Sequence, residues 1–159
     1  MGGETLSFLD LLGRKKRGKS RDWTQAQAFW CILQSTAMCD GHLSPEESSQ
    51  TNTILHSSRL FSEMTAEDLS DLHDEVISRI NSSKDALEDA CGALSPSLRL
   101  TAFVHAFDLL LSDMEFDKTE DAFLQKLSGL LNVSQENAAA VAAVMRWKHP
   151  PIEDVDAKD

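Results

Sequence analysis

Apolar residues recur every three or four positions along almost the whole chain, and no segment alternates with the two-residue period of a convincing strand. That spacing puts Phe29, Trp30, Leu33 and Ala37 on one side of a helix from about Thr24 to Cys39. Leu69, Leu72, Val76 and Ile80 line another that starts at Thr65. Other starts carry their own punctuation. Ser44-Pro45-Glu46-Glu47 supplies a serine cap, a proline at the first helical position and a glutamate at the third. Ser95-Pro96 opens a helix bearing Leu100, Phe103, Val104, Phe107 and Leu111, and Asp117 to Glu120 opens one bearing Phe123, Leu124, Leu127 and Leu131. Ser134 caps the last. With short helices over 6–12 and 84–93, the reading is all-α: a compact single-domain bundle of seven to eight short helices. Residues 1–22 form an amphipathic, basic arm, residues 23–149 the helical domain, and residues 150–159 an acidic flexible tail behind Pro150-Pro151.

At 159 residues, 42% hydrophobic and 26% charged, the chain suits one soluble domain with a real core. No apolar run approaches the roughly 18–20 residues needed to span a bilayer. At the N-terminus the apolar stretch precedes the basic cluster, the reverse of a secretory signal. Cys31, Cys39 and Cys91 are odd in number and form no CxxC pair, so reduced thiols and a cytoplasmic setting are expected.

The net charge of −11 is unevenly spread. Residues 1–22 hold six basic residues against three acids; the rest holds 15 − 6 = 9 basic and 26 − 3 = 23 acidic residues, or −14. So acidic a body repels nucleic-acid phosphates and attracts cations, and no nucleic-acid partner is expected. The arm joins Phe8, Leu9, Leu11 and Leu12 to the run RKKRGKSR. Residues 6–21 thus have the chemistry for weak membrane-surface contact, leucines inward and cations on anionic headgroups. Myristoylation is disfavoured, because Leu6 stands where serine or threonine is required.

One spaced pair of acids occurs twice, each time where a helix ends and another begins. The first copy, CDGHLSPEE, holds Asp40 and Glu47; the second, SDMEFDKTE, holds Asp113 and Glu120. The copies are 113 − 40 = 73 residues apart, as are the glutamates, 120 − 47 = 73. Capping accounts for much of this. Glu47 and Glu120 each lie three residues after a cap residue, and Asp40-Gly41 is a common turn pair. It does not account for aspartates at helix C-termini, where the macrodipole opposes negative charge. Two carboxylates with free carbonyl oxygens are too few for calcium's six to eight oxygen ligands; two pooled sets are enough. Glu115 and Asp117 are further acceptors in the second copy. An EF-hand is excluded: its sixth and twelfth positions fall on Lys118 and Leu124 counted from Asp113, and on Pro45 and Thr51 counted from Asp40.

On these two motifs, and on the opening Leu6-Ser7-Phe8-Leu9-Asp10-Leu11-Leu12, the chain resembles the tellurite-resistance TerB family and the TerB-like domain of some DnaJ-type membrane proteins. The resemblance covers roughly residues 23–147. It implies an all-α fold with an internal pseudo-repeat and an acidic site for divalent cations, calcium foremost, with Asp40, Glu47, Asp113 and Glu120 as ligands. It also implies a part in metal or chemical stress responses, with protein partners in a stress-response complex assembled near the inner membrane surface. Met114 departs from the family pattern, which usually has glycine there.

The remaining signals are weak. No HExxH, Walker A, GxSxG or Rossmann glycine pattern occurs. His42 reads as a turn residue, and His105, among Phe103, Val104 and Phe107, as a helix-face histidine. Oxygen-rich surroundings leave Cys39 a small packing residue. The expectation is a non-enzymatic domain that binds a divalent cation, calcium by its ligand set. The alternative is a metal-free helical adaptor whose acidic face binds a basic protein partner.

Overall fold

The computed structural model describes residues 22–112 and 116–150. Over them the chain forms seven α-helices and no strand: α1 (Gln25–Ala37), α2 (Pro45–Ser57), α3 (Ala66–Ser82), α4 (Ala86–Ala93), α5 (Pro96–Leu110), α6 (Lys118–Leu130) and α7 (Gln135–Lys148). A single 3₁₀ turn, Arg59–Phe61, links α2 to α3. The expected helix over 6–12 lies outside the described residues, as do most of the arm and the acidic tail.

Helix α1 is the hub. It packs on α2, α3, α4 and α5, and nine of its thirteen residues are buried. A helix surrounded by others must be apolar nearly all round, which FWCIL at its centre provides. Phe29 meets Phe61 and His105 edge-on, with ring centroids 6.1 and 5.9 Å apart. The core continues through Val76, Ala90, Cys91, Leu94, Leu110, Leu127 and Leu131.

The 73-residue sequence repeat is also a repeat of structure. Adding 73 to the bounds of α2 (45 and 57) gives 118 and 130, the bounds of α6, and α1 ends at 37 where α5 ends at 37 + 73 = 110. Two helix–turn–helix units, α1–α2 and α5–α6, therefore carry the two acidic motifs at equivalent junctions.

One starting signal works differently from its reading. Ser95 makes no side-chain cap to α5; its hydroxyl lies 3.2 Å from Ser97 Oγ, and its N–H donates to Gln25 Oε1 at 2.7 Å. Gln25 Nε2 in turn donates to the Ala93 carbonyl at 2.9 Å. The start of α5 is thus held by a side chain 70 residues earlier.

Candidate functional site

Both junctions are built from local rules. Helix α1 ends at Ala37; the Asp40 carboxylate accepts the His42 N–H at 2.8 Å, and Gly41 takes φ of +83°, the left-handed region glycine enters without strain. Ser44 then opens α2. Glu47 N–H donates to Ser44 Oγ at 3.1 Å, and Ser44 N–H donates back to Glu47 Oε2 at 2.9 Å. The second junction reproduces the box: Glu120 N–H to Asp117 Oδ1 at 2.8 Å and Asp117 N–H to Glu120 Oε2 at 2.9 Å. Phe116 stacks on Phe107, centroids 6.2 Å apart and planes 8° from parallel, which pins the start of α6 to the side of α5.

Capping explains those bonds but not their setting. Among the described residues two further helices, α1 and α3, open with a full capping box, Thr24/Gln27 and Thr65/Asp68. Asp68, the acid of the α3 box, is exposed. Glu47 and Glu120 are only 3% and 2% exposed. A capping box works equally well with its acid at the surface, as Asp68 shows, so the box alone does not set this depth. These two acids are placed inward.

The charges of the two junctions meet at Cys39. The Cys39 thiol, half-buried in the first junction, has its pKa pushed up to about 12, first by burial and then by the negative charges of Glu120, Asp40, Glu47 and Asp117. Coulomb energy falls with distance, so one sulfur senses carboxylates from both copies of the motif.

The four predicted ligands are not placed alike. Glu47 and Glu120 are buried, whereas Asp40 is exposed and already accepts one N–H in its turn. Asp113, with Met114 and Glu115, lies outside the described residues. Asp117 uses one carboxylate oxygen as the cap of α6. The carbonyls expected to be free at the end of α1 are partly engaged: Gln34, Thr36 and Met38 accept from the N–H groups of Met38, Cys39 and Gly41. Each keeps a second lone pair. Among the described residues no three His, Cys, Asp or Glu side chains are grouped closely enough to hold a metal ion.

Sequence reasoning missed a third buried acid, Asp108 on α5. Its carboxylate accepts from Gln50 Nε2 of α2 at 2.8 Å and from Lys148 Nζ at 2.5 Å, and lies 2.7 Å from His149 Nε2. Burial alone would raise its pKa, but the bonds and charges of His149 and Lys148 hold it below the usual carboxylate value. Asp108 thus braces α2, which carries Glu47, against α5, which leads to the second junction. The signal was present as a lone acid inside FVHAFDLLL, where burial demands partners.

No helix among the described residues is long and apolar enough to cross a membrane. In comparisons with known proteins, the family described as "Tellurite resistance protein TerB" matches residues 26–143, a span that contains both acidic junctions. No curated protein and no solved structure gives a match. With the family matching most of its length, and with the helical fold in agreement, the chain belongs to the TerB tellurite-resistance family.

Proposed function

We propose that the two junctions form one oxygen-rich site for a divalent cation, calcium by its ligand set, and that the domain is a non-enzymatic binding module. The observation that carries this reading is the burial of Glu47 and Glu120, one from each motif copy, at equivalent helix starts. Carboxylate oxygens drawn away from bulk water are the donors a hard cation prefers. Asp40 and Asp113 supply the outer ligands, and loop carbonyls and water complete the shell. Zinc fits less well, because the expected ligands are all oxygens. Binding joins the α1–α2 unit to the α5–α6 unit, so the cation acts as a clasp between the halves of the repeat. A cytoplasmic stress-response role close to a membrane surface is the setting we infer.

Calcium in hundredfold excess over its dissociation constant stabilises the folded chain by about 2.7 kcal/mol, a rise in melting temperature of roughly 5–10 °C for a domain of this size. The check is a melting curve in millimolar calcium against chelator. Identical curves count against the site.

The adaptor reading keeps one observation of its own. Met38, Leu43 and Phe116, three of the large apolar side chains left exposed, all lie in the two acidic junctions, a mixture suited to a basic amphipathic partner. Alanine at Asp40 and Asp113 separates the readings: an adaptor loses its partner with no calcium effect to lose, whereas the cation site loses its thermal shift.

A further inference from the structure

A groove of about 510 Å³ opens between α1, α2 and α3, walled by Trp30, Leu43, Leu55, Ala66, Leu69 and His73. It is distinct from the pair of glutamates, and its size falls within the roughly 300–1,000 Å³ usual for occupied clefts. Trp30 closes its floor, its indole N–H donating to His73 Nδ1 at 3.2 Å. Exposed acids Glu67, Asp71 and Asp74 stand on the same turns of α3 that line it. From residue 22 to residue 82 the sequence has ten acids and two arginines. One of these, Arg79, is occupied: it pairs with Glu75 at 2.6 Å, lies over the Trp23 ring at 4.6 Å and donates to the Asp22 carbonyl at 3.3 Å. The groove is therefore apolar inside and acidic along one edge.

We propose that the chain's own arm, residues 6–21, occupies this groove, with residues 6–12 supplying Leu6, Phe8, Leu9, Leu11 and Leu12 to its walls and the basic run 14–21 lying along the acids of α3. Charge, order and reach all favour this occupant. Residues 14–21 carry Arg14, Lys15, Lys16, Arg17, Lys19 and Arg21 with no acid among them, opposite an edge with no free arginine or lysine on α3. The arm leaves the domain at Asp22, bound to Arg79 near the end of α3. From Arg79 back to Leu69 is ten residues, or about 15 Å of helix axis. Ten residues also separate Leu12 from Asp22, and an extended chain covers about 33 Å in that number. The order then falls into place: cations beside Asp74 and Asp71 first, apolar residues at the groove beyond. Because the segment is tethered, its local concentration is high and a modest contact suffices. Docking would hide the feature that suits the arm to anionic membranes, and so make membrane contact conditional on its release. The proposal does not depend on a bound cation.

Zero-length carbodiimide coupling of the full chain, at a concentration where it is monomeric, tests this. The expected result is intramolecular links from Lys15, Lys16 or Lys19 to Glu67, Asp71 or Asp74, lost in the Phe8→Asp/Leu12→Asp variant, whose amide resonances at Leu55, Leu69 and His73 shift. Links found only between two chains, or equally frequent to Asp121 and Glu136 on the other half, overturn it. So does a variant that abolishes binding to phosphatidylserine vesicles while leaving the groove amides unmoved, which assigns the arm to the membrane alone.

Discussion

Replacing Glu47 and Glu120 together by glutamine lowers calcium affinity by about a hundredfold or more and removes the calcium-dependent thermal shift. Glutamine is nearly isosteric and keeps a carbonyl oxygen, so each can still accept the N–H of Ser44 or Asp117 that its glutamate accepts at 2.9 Å. The capping function is retained and the two charges are not. At a separation of about 4 Å in a partly buried site, one unit charge on a cation is worth about 4 kcal/mol; a hundredfold, about 2.7 kcal/mol, is about two thirds of that. Without calcium the variant stays within about 1 kcal/mol of the parent, because a lost buried charge offsets a weakened cap. Differential scanning calorimetry of both proteins, with calcium and with chelator, reads both effects. A parent and a variant that respond equally to calcium place the ion elsewhere.

Asp108→Ala is the largest purely structural effect expected, about 3 kcal/mol and roughly 6–12 °C in melting temperature. Three partners lose a common acceptor, and the link from α2 and the end of α7 to α5 goes with it. Asp108→Asn, which keeps the shape and one acceptor, costs about half as much. The same carboxylate sets an acid limit. Its pKa is lowered in the folded state, so its stabilisation is complete above the ordinary aspartate pKa of about 3.9. It is lost as pH falls through the lower, folded value, since the unfolded chain then binds the proton more readily. Urea titrations between neutral pH and pH about 3 should show the parent losing stability in that window. The Asp108→Ala protein, already without the interaction, should lose less.

Helix positions were legible because each rests on local chemistry. Ser44-Pro45-Glu47, Thr65-Asp68 and Asp117-Glu120 cap where their spacing puts them, and the repeat of 73 residues in the acids reappears in the bounds of α2 and α6. Ser95 shows the limit of such reasoning: its hydroxyl meets Ser97 Oγ in place of a backbone N–H of α5, and its own N–H is met by Gln25, 70 residues away. The depth of Glu47 and Glu120 was not legible either. A capping glutamate has the same spacing whether it faces water or the core, and only the packing of the two units decides. Cys39 read as a packing residue beside Asp40, and it packs against the core. Asp108 stayed hidden for the converse reason, as two of its partners lie 40 and 41 residues downstream at the end of α7.

Isothermal calorimetry with calcium, magnesium, manganese and zinc on the full chain puts the clasp to its most direct trial. Saturable uptake of a single calcium ion, with weaker magnesium binding and no uptake after Asp40 and Asp113 are both changed to alanine, is the predicted outcome. Silence towards calcium at millimolar concentration, or uptake indifferent to those aspartates, would leave two buried glutamates that close helix caps and hold nothing between them.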